Sequence, residues 1–520
     1  MKPNFRWDSQ SEFIYKSALL SEDIVNQINS VLLANETVMD VDAMLSKVES
    51  ILNSAAKLAL KERKICTKSK TKKKKWFDRD CYALRREVLS LGRKLCRSTV
   101  THEQRMLFFS KKKELRKMVK VKKRVFRQNI LDQLNNLEEN NPKQYWKLVA
   151  ELKELESSSS NNSNCVSAQE WINHFSKLLY NKNMENCSEL ESFICKMSTV
   201  KSFTNLDYRI TKDEIKICIS RLKSGKAVGL DRISAEMVKA SIGQLLPVYE
   251  QLFNTIFRKG VYPNNWKESF IVPIFKSGSR KDPSNYRGIA INSILGKVFS
   301  MILTNRLESF AKDNQLIGDT QIGFKKGCRT ADHMFILTTL IDKYVKKLKS
   351  PLYVCFVDFK KAYDSIWRQA LLYKLLMVNI NGLFFNILKS MYTNNEMCVR
   401  VSNSHRSHFF TSNVGVRQGD AISPILFNLY VSDLQNYLSV DHHTPLLDTT
   451  YVNCLMYADD LVLVSRSEVG LQGLIDKLSD YCKRWKMDVN TEKTKILKFS
   501  GNGHKCKTSF FYREKLIEML

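Results

Sequence analysis

Tyr353-Val354-Cys355-Phe356-Val357-Asp358 and Cys454-Leu455-Met456-Tyr457-Ala458-Asp459-Asp460-Leu461-Val462-Leu463-Val464 are the two stretches from which the rest of the chain can be read. The first is a short apolar run, aromatic and β-branched, ending on a carboxylate, which predicts a buried strand. The second is two apolar runs separated by an Asp pair, which predicts a β-hairpin with carboxylates at its tip. Taken singly, each has an ordinary explanation, because Asp suits turns and caps. Together they put three carboxylates at strand ends, where like charges repel unless a cation or basic side chain neutralises them. Magnesium takes oxygen ligands, few of them from protein and the rest from water and phosphates. Three carboxylates on neighbouring strands could hold two ions about 3.5–4 Å apart, one activating a hydroxyl and one steadying a leaving group.

The 520 residues carry 83 Lys and Arg against 53 Asp and Glu, a net charge of +30. At roughly 100–200 residues per domain, this length predicts two to four folded units. Hydrophobic residues make up 43%, enough for a core and against global disorder. A charge this high opposes compaction unless a polyanion is bound, so nucleic acid is the leading partner and an anionic membrane surface the second. The 13 cysteines are odd in number and form no C-x-x-C pair. That excludes a disulfide scaffold and a zinc ribbon and favours a reducing compartment. Met1 to Phe13 lacks the apolar core of a signal peptide, and no apolar run nears the roughly 18 residues of a membrane span. The expectation is a soluble protein of the nucleus or cytoplasm, not secreted, without a membrane partner. Carboxylates at strand ends in so basic a chain point to phosphoryl transfer on nucleic acid.

The charge is concentrated. Lys61 to Ile130 holds 26 Lys and Arg against 6 Asp and Glu, with its densest run at Lys72-Lys73-Lys74-Lys75. That run also fits a nuclear localisation signal. Leu107, Leu115, Met118, Val119, Val125, Phe126, Ile130 and Leu134 recur at three-to-four spacing, predicting a long amphipathic helix with a basic outer face. Such a face can simply be solvated. Ten Lys and Arg within Lys111–Arg127 against the single acid Glu114 favour a phosphate-tracking surface instead, with Lys111, Lys112, Lys113, Arg116 and Lys117 as its candidates. The polar run Ser157 to Asn164 reads as a linker. From about Thr211 helix and strand signals alternate, so a mainly helical segment of 200 residues precedes an α/β one.

Seven segments make the reading specific. Phe356-Val357-Asp358-Phe359-Lys360-Lys361-Ala362-Tyr363-Asp364, Gly415 to Pro424 (GVRQGDAISP) and Tyr457-Ala458-Asp459-Asp460 resemble the three palm motifs of reverse transcriptases. Pro273-Ile274-Phe275-Lys276 and Asn285-Tyr286-Arg287-Gly288-Ile289 resemble the fingers motifs, and Gly229-Leu230-Asp231 and Gln321-Ile322-Gly323-Phe324 with Arg329-Thr330 extend the match. In order and style the chain is most similar to non-LTR retrotransposons of the jockey-like kind, from about Ile210 to Lys498. The resemblance implies an α/β (α+β) fold: the fingers and palm of a right-hand polymerase, with an antiparallel palm sheet backed by helices. Expected boundaries are a helical basic region at 1–200, fingers at 205–350, palm at 351–500 and the truncated start of a thumb at 501–520.

The implied activity is RNA-directed DNA synthesis, in which a primer 3′-hydroxyl attacks a deoxynucleotide on an RNA template. Two Mg2+ ions, replaceable by Mn2+, are implied as cofactors. Asp358 and Asp459 would ligate them, with Asp460 fixing the charge beside them. Phe359 would offer its backbone carbonyl, and Lys276 and Arg287 would close on the triphosphate, Arg through its bidentate fork. Tyr363, five residues after Asp358, stands where the family excludes a ribose 2′-hydroxyl, though a core aromatic is the alternative. Gln418 and Gly419 would pack on the nascent base pair, and Lys493 would protonate departing pyrophosphate. Ser224-Gly225-Lys226 is not a phosphate loop, since Ser220 stands where its first glycine belongs, and His504 with Cys506 is too little for a zinc knuckle. Trp7 to Tyr15 looks like the linker that follows an endonuclease domain in such elements. A chain ending before the thumb is expected to extend primers weakly and distributively. The alternatives are a catalytically inactive nucleic-acid-binding relic, and an intron maturase or telomerase-like enzyme.

Overall fold

A computed structural model describes residues 5–34, 39–62, 75–95, 101–136, 141, 144–146, 148–149, 151–152, 166–181, 187–198, 206–400, 406–501 and 508–520. Lys72 to Lys74, the linker at 157–164 and the His504–Cys506 segment lie outside them. Two compact units are present: Met1–Arg63 together with Cys165–Leu520, and Lys64–Asn164. The helical region expected as one block up to residue 200 is therefore divided. The physical reason is the character of its helices. In Val41–Ala59, the side chains of Met44, Leu45, Val48, Ile51, Leu52, Ala55 and Ala56 form one buried stripe at helical spacing. They join a core shared with Leu245, Leu252 and Phe253 of the helix Ile242–Lys259. Asp40 caps this helix by accepting from the backbone N–H groups of Asp42 and Ala43.

In the smaller unit the helix Arg79–Lys94 packs with the long helix His102–Asn135. Asp78 and Thr101 cap them. The predicted long helix is present but less amphipathic than its spacing suggested: Leu107 and Val125 are exposed and Ile130 is its buried residue. Lys122 pairs with Asp78 and Asp80, and Lys111 with Glu87 at 3.5 Å and Glu114 at 3.2 Å.

The strands of the larger unit, in chain order, are β1 (Glu268–Phe275), β2 (Tyr286–Ile291), β3 (Leu352–Asp358), β4 (Asn395–Val399), β5 (Phe410–Ser412), β6 (Leu446–Leu447), β7 (Thr450–Tyr451), β8 (Cys454–Tyr457), β9 (Asp460–Ser465), β10 (Lys495–Phe499), β11 (Phe510–Tyr512) and β12 (Lys515–Met519). One sheet has four strands in the order β2-β1-β4-β5, and another has six in the order β11-β12-β10-β3-β9-β8. The expected antiparallel sheet is found from β10 through β3 and β9 to β8, whereas β12 joins β10 in parallel. Phe510 to Met519, expected to begin a thumb, thus forms the edge of this sheet. Phe510, Tyr512 and Ile517 bury their side chains, and Gln472 of the helix Glu468–Arg484 exchanges hydrogen bonds with the Phe511 backbone. β3 alternates between two cores. Tyr353, Cys355 and Val357 face one, and Leu352 and Val354 face the other, under the helix Thr330–Ile341. Among the described residues every cysteine is a free thiol, and no helix is long and apolar enough to cross a membrane.

One buried cation ties the segment from Leu206 to Glu214 to the helix Ile294–Asp313. Arg306 donates to both Glu214 oxygens at 2.8 and 2.9 Å and to the carbonyls of Leu206, Tyr208 and Arg209 at 3.2, 2.8 and 3.2 Å. Arg306→Met should lower unfolding free energy by about 3 kcal/mol, because Glu214 and three carbonyls lose their donor together. Urea denaturation of the full chain checks this, and an unchanged midpoint would show that water replaces the guanidinium without loss.

Candidate active site

The antiparallel register of β3 and β9 sets Asp358 directly opposite Asp460. β9 also pairs with β8, Tyr457 facing Asp460, so Ala458 and Asp459 form a two-residue turn. Short hairpin turns need positive φ, and Ala458 adopts it at 57°. All three predicted carboxylates thus meet at adjoining strand ends. Burial pushes the Asp460 carboxyl above the usual range, the charges of Asp459 and Asp358 push it further, and the Lys276 ammonium opposes them. Among the described residues no three His, Cys, Asp or Glu groups form a ready cage for a metal. The carboxylates are nevertheless hard oxygen donors in mutual repulsion, which fits a magnesium ion that completes its shell from water and phosphate.

A left-handed alanine is disfavoured, and Gln321 stabilises it. The side-chain oxygen of Gln321 accepts from the Ala458 N–H at 2.8 Å, and its amide donates to the Ala458 carbonyl at 3.0 Å. The same oxygen accepts from the Gly323 N–H at 2.9 Å. On either side of it, Met456 N–H donates to Thr320 at 2.8 Å and Ile322 N–H to Met456 at 3.0 Å. A Cβ on Gly323 would overlap the Ala458 nitrogen, so glycine permits this approach. Sequence reading had Gln321 and Gly323 within a matching segment but without a role. Nothing local in Gln-Ile-Gly-Phe says which turn it will clamp.

Asp358 is held from the other side. Asn490 Nδ2 donates to its Oδ2 at 3.1 Å and Thr494 Oγ1 accepts from its N–H at 3.2 Å. Lys493 Nζ stands 4.0 Å from the same Oδ2, so this predicted residue does reach the carboxylates. The Phe359 ring is buried and its backbone bridges to Val489. Arg287 lies opposite Ile274 on the β1–β2 hairpin. Tyr363 stacks on Phe427 with centroids 4.6 Å apart, and its hydroxyl is pushed up by burial and then by Asp459, against Arg287. Gln418 donates to Asp364 at 2.6 Å through its side chain, and its carbonyl accepts from the Ala290 N–H at 2.9 Å. Burial raises the Asp364 carboxyl to about 6. Gly419 has φ of 106° and lies against the Ala290 carbonyl.

Two buried arginines missed by sequence reading build the approach to Gln418. Arg417 donates to the Trp266 and Met391 carbonyls at 3.0 and 2.9 Å and to Asn395 at 2.6 Å. Arg368 donates to the carbonyls of Gly415 and Val414 at 2.9 and 3.0 Å. Neither is signalled by its neighbours in sequence. Lys111, Lys112, Lys113, Arg116 and Lys117 belong to the other compact unit, on the helix His102–Asn135.

Residues 276–511 match the reverse transcriptase (RNA-dependent DNA polymerase) family. Over 298 residues the chain is 29% identical to the probable RNA-directed DNA polymerase from transposon BS of Drosophila melanogaster, covering 55% of this chain and 32% of that protein. It is 26% identical over 308 residues to the RNA-directed DNA polymerase from mobile element jockey of the same fly, covering 57% and 32%. With the Pol polyprotein from retrotransposable element R2 of Nasonia vitripennis it shares 27% over 258 residues, covering 50% and 24%. The chain therefore spans about a third or less of the length of these curated relatives. Among solved structures, apo telomerase from Candida tropicalis, truncated from its C-terminal domain, gives a TM-score of 0.35 at 14% identity over 77% of this chain and 88% of that one. The match at residues 276–511 is thus to a reverse transcriptase domain, and the curated proteins this chain is similar to include RNA-directed DNA polymerases of the BS and jockey elements.

The clamp on the turn yields a prediction that needs no catalytic assay. Gln321→Met keeps the side-chain length but leaves the Ala458 N–H and C=O without partners, which should cost about 1–3 kcal/mol. Hydrogen exchange should show protection at Ala458 falling about tenfold or more. Unchanged protection would mean the turn holds itself.

Proposed function

We propose that this reverse transcriptase domain catalyses RNA-directed DNA synthesis, extending a primer 3′-hydroxyl with deoxynucleotides on an RNA template. One observation carries the proposal: Asp358 and Asp460 face each other across β3 and β9 with Asp459 in the adjoining turn, inside the segment that matches the family. In this reading residues 205–350 act as fingers, 351–500 as palm and 501–520 as the approach to a thumb. Asp358 and Asp459 hold Mg2+, for which Mn2+ can substitute, and Asp460 sets the charge beside them. When bound there, the metal supplies positive charge to the primer hydroxyl and the triphosphate.

The chain's own residues do the rest. Lys276, whose charge is felt at Asp460, and Arg287 bind the incoming triphosphate. The Phe359 backbone lies under the nucleotide, and the stacked Tyr363 ring closes the space beside C2′ of its sugar. Gln418, fixed by Asp364, supports the new base pair, and the Gly419 backbone approaches it closely. Lys493, beside Asp358, delivers a proton to the leaving pyrophosphate. The helix His102–Asn135 gathers template RNA through its lysines and arginines. The free cysteines and the concentration of basic residues support a site of action in the nucleus or cytoplasm.

Asp459→Asn should lower primer extension by at least about a thousandfold, the scale of metal-assisted charge stabilisation, with circular dichroism unchanged. Extension at the wild-type rate would remove Asp459 from the site, and undiminished RNA binding without extension in the wild type would identify a binding relic. The basic helix is tested separately. Glutamine at Lys111, Lys112, Lys113, Arg116 and Lys117 should reduce the log–log salt slope of RNA binding by about 3, at roughly 0.7 per phosphate and with Lys111 already paired to glutamates. An unaltered slope would make the helix a solvated face.

A further inference from the structure

β9 has Asp460 at its first residue and Ser465 at its last, so its far end lies about 17 Å from the carboxylates at roughly 3.3 Å per residue. A cleft of about 510 Å³ opens there, lined among others by Lys343, Tyr344, Tyr451 and Arg466. Its walls are built. Asp342–Lys347 is a single π-helical turn continuing the helix Thr330–Ile341, a rare conformation concentrated at functional sites. This turn is pinned to the β6–β7 hairpin: Lys343 Nζ donates to the Leu446 carbonyl at 2.7 Å, and the Tyr344 hydroxyl accepts from the Leu446 N–H at 2.8 Å.

Cations outnumber acids in the lining of the cleft, Lys343 and Arg466 against Asp441. Arg466 and Lys343 lie 5.4 and 5.6 Å from the centroid of the same Tyr344 ring. Among the described residues neither cation has a carboxylate within ion-pair distance. The nearby acids are engaged. Asp441 Oδ1 accepts from the His443 N–H at 2.9 Å and the Thr444 hydroxyl at 3.0 Å, and Asp342 pairs with Lys346 at 2.7 Å. Two cations beside one ring, neither in an ion pair among the described residues and facing the single acid Asp441, leave net positive charge for an anion. Beside them Tyr451 is 50% exposed, an aromatic face free for stacking. Cation and exposed aromatic side by side suit a phosphate and an unpaired base together.

We propose that this cleft binds a single-stranded RNA segment, one backbone phosphate lying between Lys343 and Arg466 and one base resting on Tyr451. Nothing in the proposal requires nucleotide addition at Asp459.

The test uses the full chain and a short oligouridylate carrying 5-iodouridine. Ultraviolet crosslinking followed by peptide mapping should place an adduct on the peptide containing Tyr451. Lys343→Gln with Arg466→Gln should reduce that adduct and lower the salt slope of binding by about 0.7, the value for one phosphate on a single strand. Arg466→Lys, which keeps the charge, should retain most of the adduct. Tyr451→Ala, at a half-exposed position, should weaken capture at the site by roughly tenfold. An adduct absent from the Tyr451 peptide, or indifferent to the charge variants, would overturn the proposal. Competition by uridine monophosphate or inorganic phosphate as effective as by unlabelled oligouridylate would also overturn it, in favour of a free-anion site. Asp459→Asn should leave the adduct unchanged, so this reading and the polymerase reading fail separately.

Discussion

The antiparallel register between β3 and β9 is the constraint on which the rest depends. It brings Asp358 opposite Asp460, and the pairing of β9 with β8 reverses the chain through Ala458 and Asp459. Like charges at one sheet end are unfavourable, and the reversal needs a backbone conformation that alanine resists. The surrounding structure answers both demands. Gln321 saturates the backbone of Ala458, Asn490 binds Asp358, and the ammonium of Lys276 opposes the rise of the Asp460 carboxyl. A side-chain amide suits the first task because it offers a donor and an acceptor to a single residue.

Charge is handled differently in the interior and on the surface. Inside, Arg368 and Arg417 satisfy their guanidinium groups largely on backbone carbonyls. Such cations fix the course of the chain rather than meet a ligand, since every donor that is satisfied holds a stretch of backbone in place. On the surface, the helix His102–Asn135 keeps most of its cations in water, and only part of them are paired with acids. Interior cations are scattered in sequence and converge on the segment before Gln418. Exterior cations are contiguous in sequence and spread along one helix, the arrangement that meets a polyanion.

Much of the site was legible in the residues themselves. Apolar runs ending in Asp358 and flanking Asp459-Asp460 are strands because alternation and β-branching act locally, and those strands place their carboxylates at the ends as read. The division at residue 200 was not legible. The stripe from Met44 to Ala56 announces a buried face but does not say what covers it, and it covers Ile242–Lys259 of a distant segment. The pairing of Phe510 to Met519 was hidden for a related reason. Its alternation marks strands, yet only the free edge of β10 decides that they extend the sheet.

By itself, the sequence determined that this is a strongly basic α/β chain with carboxylates at strand ends and a long basic helix, because period, composition and chain order are properties of neighbouring residues. Tertiary structure alone decided that Gln321 grips Ala458, that Arg417 carries the loop before Gln418, and that Lys343 and Arg466 flank one tyrosine ring. Gln321 and Ala458 are 137 residues apart. Arg417 reaches Trp266 across 151 residues and Met391 and Asn395 across 26 and 22. Arg466 meets the ring of a residue more than a hundred positions before it. No local pattern encodes them, since they follow from the register of strands and the packing of helices that only the folded chain possesses.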